Sequence, residues 1–189
     1  MKVLVLCSDR AEGALFTEDV YTVRVTGVGK ENALLNAVLA IQESNPDLVV
    51  NVGTCGEKKG SAEIGDVCRV RRVINRDCDL TMYRLPKYTT LGANRSTEGP
   101  LDIGTEGKVL ASGDALSTTS LEEADLYDME AFGIAKACRA LNKELAVLKG
   151  VSDIVGEHVT LSDYRKVLKK LAADLHEEVS HIIRCREQG

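Results

Sequence analysis

The sequence predicts an α/β fold: a single three-layer domain in which helices flank a central, largely parallel mixed sheet. Three observations predict it. Short apolar and β-branched runs alternate with longer segments of helical periodicity. Glycine-rich or polar turns separate them. No repeat, low-complexity tract or change of composition marks an internal boundary, so residues 1–189 read as one domain, and 44% hydrophobic residues suffice for a real core.

Val3 to Leu6 is a continuous apolar run and Tyr21 to Val25 is β-branched, closed by Gly27 and Gly29, so both read as strands. From Lys30 to Glu43, Ala33, Leu34, Ala37, Val38 and Ile41 recur at helical spacing until Asn45-Pro46 ends the segment. Leu48 to Val52 is the next strand, running into a turn at Gly53-Thr54-Cys55-Gly56, and strand, helix, strand makes a crossover unit. Val67 to Ile74 reads as a strand whose solvated face carries Arg69, Arg71 and Arg72. Asp77 to Pro100 lacks periodicity and reads as a long loop of the kind that often carries function. Val109 to Ala111 is a short core strand, Asp128 to Leu141 a helix, Leu145 to Val151 the last strand, and Leu161 to Ile183 a long amphipathic helix.

Composition excludes several classes of partner. A net charge of −5, with 24 basic residues dispersed among 29 acidic ones, offers no footprint for nucleic acid or an anionic membrane. The opening MKVLVLCSDR reads as a strand rather than a secretory signal, and no run approaches the roughly 18 apolar residues of a membrane span. A cytoplasmic protein is expected. Six cysteines without CxxC spacing read as reduced core thiols, with no metal site. His158, His176 and His181 read as surface residues, and GVGK at Gly27 to Lys30 lacks the full phosphate-loop pattern and reads as a tight turn before a helix.

The polar residues left over lie at strand ends. Ser152-Asp153 sets a carboxyl at the carboxyl end of a parallel strand, where α/β domains bind ligands, although by residue type alone it reads first as a turn cap. Glu130 opens a predicted helix, where an acidic side chain is also a simple dipole partner. The GTCG turn offers backbone N–H groups to an anion or a polarised water. Glu12, a few residues beyond the first strand, looks by itself like a surface glutamate.

In order, Glu12, GVGK, NVGTCG at Asn51 to Gly56, IGDV at Ile64 to Val67, DCDLT at Asp77 to Thr81, SGDA at Ser112 to Ala115, DMEA at Asp128 to Ala131 and VSD at Val151 to Asp153 resemble the nucleoside phosphorylase and nucleosidase superfamily. The likeness is nearest to the branch that hydrolyses 5′-methylthioadenosine and S-adenosylhomocysteine. It spans nearly the whole chain, which is shorter than typical members before GVGK and around Asp77 to Pro100. The resemblance implies cleavage of an N-glycosidic bond through an oxocarbenium-like sugar, which requires an acid for the leaving base, a stabiliser for the ribose and a nucleophile.

On that resemblance Asp153 is the general acid at the base N7, a role that needs a neutral carboxyl, and Glu12 activates water. Glu130 accepts the ribose hydroxyls while Met129 packs on the sugar. Thr54 matches a hydroxyl residue that meets phosphate in phosphorylases and water in hydrolases, and Ser152 accompanies Asp153 at the substrate. Asn51 stands where phosphorylases tend to carry a phosphate-holding arginine. Lys149 replaces an arginine near the water, and Leu116, followed by Ser117, replaces a phenylalanine that stacks on adenine. Asp128, often glutamate in the family, receives no role. The resemblance further implies a small-molecule nucleoside substrate, no cofactor and a homodimer whose partner completes the 5′ pocket. Two rival expectations are a phosphorylase in which Arg10 or Lys149 supplies the cation, and a nucleoside-binding protein without turnover.

Overall fold

The structure is a computed structural model and describes residues 1–188. Its elements are β1 (Val3–Cys7), β2 (Thr22–Val25), α1 (Lys30–Ser44), β3 (Leu48–Glu57), β4 (Val67–Asn75), β5 (Thr90–Leu91), β6 (Thr97–Glu98), β7 (Leu101–Asp102), β8 (Lys108–Ser112), β9 (Leu126–Asp128), α2 (Ala131–Ala140), β10 (Glu144–Ile154) and α3 (Leu161–Gln188). Among these residues no helix is long and apolar enough to cross a membrane.

β1, β2, β3 and β10 run parallel, in the order β2-β1-β3-β10. β10 also pairs antiparallel with β4, which runs parallel to β8; β8 runs parallel to β9, and β9 returns antiparallel onto the end of β3. Where the sequence predicts a sheet layered between helices, the structure closes that sheet into a ring of β3, β10, β4, β8 and β9, with β1 and β2 extending from it. The length of β3 makes this arrangement work. On one side it pairs with β10 throughout; on the other it pairs with β1 over Leu48 to Asn51 and with β9 only at Gly56 and Glu57. Val52 to Cys55 therefore face a gap between two partner strands, and a gap in a ladder leaves backbone donors free for side chains.

Alternate residues of β1 and β3 enter different cores, as the twofold period of a strand requires. Leu4, Leu6 and Val49 pack with Ala33, Ala37 and Ile41 of α1 and with Ile134 and Cys138 of α2. Small residues let these two helices approach closely: a Cβ added to Gly133 would lie 2.3 Å from the Lys30 carbonyl oxygen. Val3, Val5, Leu48 and Val50 instead meet Leu175 and Val179 of α3. Each such buried leucine or valine contributes about 2 kcal/mol. α1 ends where Asn45 turns left-handed (φ 43°) and donates its N–H to Ile41 O, with Pro46 barring continuation.

Several elements differ from the sequence expectation. Gly53 to Gly56 is not a turn but the continuation of β3. The segment expected as a structureless loop contains a 3-10 turn at Thr81–Tyr83 and the antiparallel pair β5 and β6, and β7 follows it to pair with β4. Asp128 closes β9 rather than opening a helix, and α2 starts at Ala131. His158 and His181 are exposed, whereas His176 is half-buried with its ring 5.3 Å from that of Phe16. Burial pushes the thiols of Cys7 and Cys138 up to about 12, as expected of core thiols, but Cys185 is exposed on α3.

Candidate active site

The parallel run of β1, β3 and β10 brings their carboxyl ends to one side of the sheet, and the residues singled out from sequence gather there. After β1 the chain turns back so that Glu12, only 3% exposed, reaches the gap in β3. Its Oε1 accepts hydrogen bonds from the Thr54 N–H (2.8 Å) and Thr54 Oγ1 (2.9 Å). Its Oε2 accepts from the Ser8 N–H (3.0 Å) and Ser8 Oγ (2.6 Å). A glutamate that looks like surface in sequence is thus a buried carboxylate with four donors. It occupies the backbone donor that the GTCG segment was expected to offer to an anion.

Lys149, paired with Gly53 across β3 and β10, stands beside it. A Cβ at Gly53 would lie 3.2 Å from both Glu12 oxygens and 3.2 Å from Lys149 Nζ, so only glycine lets these groups converge without displacement. Lys149 Nζ bonds Asp128 Oδ2 at 2.8 Å. Burial alone would favour loss of the lysine proton, but the Asp128, Glu130 and Glu12 carboxylates outweigh it and hold the ammonium charged, well above the ordinary lysine range.

Asp128, to which the sequence assigns no role, bonds to both sides of this cluster. Its Oδ1 accepts from Ser112 Oγ (2.5 Å), and its Oδ2 accepts from the Ala131 N–H (2.9 Å) as well as from Lys149. Ser112 Oγ in turn accepts from the Phe132 N–H (2.9 Å). Together they satisfy the first donors of α2 and fix Met129-Glu130 at its mouth. Glu130 is buried and its Oε1 accepts the Gly29 N–H at 3.1 Å, so the GVGK turn also closes on the site. Burial, opposed by Lys149 and reinforced by Asp128, pushes the Glu130 carboxyl up to about 7.

Asp153 follows a bulge in β10 and is half-buried, with Oδ1 accepting from Ser152 Oγ at 2.6 Å. Ser152 Oγ also lies 3.2 Å from the Cys55 carbonyl oxygen, which keeps the pair against β3. The SGDA loop stands at the rim. Lys30 ties it down through Asp114 (2.9 Å) and Asp77, while Leu116 is 85% exposed and Ser117 Oγ donates to the Thr119 carbonyl. The two cations named for phosphate are placed otherwise, Arg10 being exposed and Lys149 held by Asp128, and Asn51, at the arginine position, is buried with Nδ2 donating to the Leu6 and Val52 carbonyls. Tyr164, in the first turn of α3, also joins the site, its hydroxyl 3.3 Å from Thr54 Oγ1. Nothing in the sequence marks that tyrosine.

This arrangement joins a buried glutamate at a strand gap, a second one at a helix mouth and an aspartate at a strand end. The sequence model of the Phosphorylase superfamily matches residues 9–101 and 106–184. The chain belongs to the phosphorylase superfamily. Among relatives within the superfamily, the 5′-methylthioadenosine/S-adenosylhomocysteine nucleosidase of Anoxybacillus flavithermus is 26% identical over 181 residues, covering 84% of this chain and 78% of the relative. The nucleosidase of the same description from Bacillus velezensis is 28% identical over 182 residues, with the same coverage of 84% and 78%. In fold, this superfamily member is similar to the Neisseria meningitidis nucleosidase in complex with methylthio-immucillin-A. That likeness has a TM-score of 0.84 at 19% identity and covers 97% of this chain and 99% of the other. The Colwellia psychrerythraea nucleosidase in complex with adenine gives a TM-score of 0.76 at 22% identity, covering 92% and 90%.

Proposed function

We propose that this chain is a nucleosidase: it hydrolyses the N-glycosidic bond of a purine nucleoside of the 5′-methylthioadenosine or S-adenosylhomocysteine type, releasing the free base and a ribose derivative. The observation that carries hydrolysis over phosphorolysis is the Glu12–Thr54 contact. The strand-gap donors that would receive a phosphate oxygen are taken by a carboxylate. The neighbouring ammonium is neutralised by Asp128, with Glu130 close by. A phosphate dianion entering this cluster meets net negative charge, whereas a neutral water meets a base.

In this mechanism Glu130 accepts the ribose hydroxyls, with Met129 against the sugar, and its charge supports the cation growing on the ring. The C1′–N9 bond breaks with its electron pair going to the base, and Asp153 delivers a proton to N7. Water attacks C1′ and passes a proton to Glu12. Leu116, Ser117 and Ser152 lie on the base side, and Thr54 and Lys149 on the water side. A homodimer fits the exposed Met82, Tyr83 and Leu161, which a partner would cover, and cysteines left as free thiols fit the cytoplasm.

The deciding experiment incubates the protein with 5′-methylthioadenosine in phosphate-free buffer and follows adenine and sugar. Free base with free 5-methylthioribose is expected. Turnover only with phosphate, giving a ribose 1-phosphate, would overturn hydrolysis, and binding without base release would make the chain a binding protein.

A further inference from the structure

Glu12 as a base poses a bookkeeping problem that the structure itself resolves. In the ionised state all four groups bonded to it are donors: two from Thr54 and two from Ser8. Once Glu12 has taken a proton from water, the oxygen that carries it becomes a donor, and a group bonded to that oxygen must turn to accept. A backbone N–H cannot do so. On Oε1 the Thr54 hydroxyl can, provided its own proton has another acceptor. Tyr164 Oη lies 3.3 Å from Thr54 Oγ1 and has a lone pair for it.

We propose that Tyr164 is a positioning residue for water activation, the acceptor that lets the Thr54 hydroxyl reverse when Glu12 takes up the proton. Before the step the chain of donors runs from Tyr164 through Thr54 to the Glu12 carboxylate. After it, the chain runs from the Glu12 carboxyl through Thr54 to Tyr164, whose own O–H swings towards the cleft. Within this chain the only bond formed is the Glu12 O–H, made as a water O–H breaks and the water oxygen bonds C1′. Thr54 and Tyr164 keep their own protons and change only their hydrogen bonds. The tyrosine is held for this task. Its N–H bonds the Thr160 carbonyl at 3.0 Å in the first turn of α3, where Thr160 Oγ1 accepts the Asp163 N–H at 3.2 Å. Half-burial, together with the charges of Glu12, Asp9 and Asp153, makes the phenol hold its proton more tightly than a free tyrosine. It therefore remains a neutral hydroxyl able both to donate and to accept.

The proposal rests on Glu12 acting as the base of a hydrolase, and the test separates the two. Tyr164→Phe keeps the ring and removes only the hydroxyl. It should lower kcat for base release about tenfold with KM little changed. In a Thr54→Val background, which has no hydroxyl to reverse, the same Tyr164→Phe change should have no further effect. A residue that merely packs would act alike in both backgrounds. Equal kcat in wild type and Tyr164→Phe, or independent effects of the two substitutions, would overturn the role of Tyr164 while leaving the nucleosidase intact. A wild-type protein that releases no base from any nucleoside would overturn both.

Discussion

Lys149 Nζ sits 2.8 Å from Asp128 Oδ2, and the two side chains are only 2% and 1% exposed. A buried pair of this kind adds little over an apolar pair, but breaking it leaves a charge stranded in low dielectric. Lys149→Met should therefore cost about 3–5 kcal/mol of stability, because Asp128, Glu130 and Glu12 all lose their counter-charge. Asp128→Asn should cost less, since Glu130 and Glu12 still neutralise the ammonium. Urea unfolding of both variants measures the difference, and a Lys149→Met protein as stable as wild type would show that the cluster relaxes or fills with water.

Gly53→Ala tests the convergence of Glu12 and Lys149. The added methyl meets three charged atoms at 3.2 Å, so they must give by a few tenths of an ångström. Misplacing a catalytic group by 1 Å can cost roughly a hundredfold, and a smaller displacement should cost about tenfold in kcat with the fold retained. Unchanged kcat in a folded Gly53→Ala protein would mean that the position of Glu12 does not govern turnover.

The order of strands and helices was legible because apolar periodicity is local: Val3 to Leu6, the α1 stripe of Ala33, Ala37 and Ile41, and the start of α3 at Leu161 all stand as read. What escaped depends on distant partners. The strand β9 is three residues long and exists because β3 and β8 flank it, which no window of sequence contains. For the same reason GTCG reads as a turn although β10 holds it extended. Motif order and the resemblance it carries single out Glu12, Thr54, Leu116, Ser117, Met129, Glu130, Lys149, Ser152 and Asp153, of which Leu116 and Ser117 stand at the rim. Tyr164 stayed hidden because half-buried aromatics on amphipathic helices are commonplace, and only closure of α3 over Thr54 gives this one a partner.

The pH dependence of stability and activity should diverge at Glu130. Its carboxyl is raised from an ordinary 4.5 to about 7, chiefly by burial, so the folded protein binds that proton more tightly than the unfolded chain does. The resulting stability is fully present below the unfolded value and is lost as pH rises through about 7. The Tm of the free protein should fall between about pH 5 and about pH 8. Glu130→Gln should remove part of that fall. Activity should do the reverse, since a carboxylate that accepts ribose hydroxyls must be ionised, and kcat/KM should climb through the same interval. A Glu130→Gln variant with the wild-type Tm profile would show that this group does not govern the slope.

The sharpest test of the chemistry is Asp153. If it protonates the leaving base, Asp153→Asn keeps the size of the side chain and an acceptor oxygen for the Ser152 hydroxyl but has no acidic proton to give. Substrate should still bind while kcat falls, and loss of general acid catalysis is typically worth about 10²- to 10⁴-fold. The ring of contacts around Asp153 also allows a structural role: a Cβ at Gly56 would come within 3.0 Å of its Oδ2, so the carboxyl packs tightly against β3. A leaving group that departs as a stable anion separates the two. On a nitrophenyl riboside the departing nitrophenolate needs no proton, so the acid becomes dispensable and the Asp153→Asn defect should shrink to a few-fold, whereas a defect of packing would persist. Equal slowing on both substrates, with thermal melting confirming that the variant is folded, would remove Asp153 from the chemistry and leave it as a strut between β3 and β10.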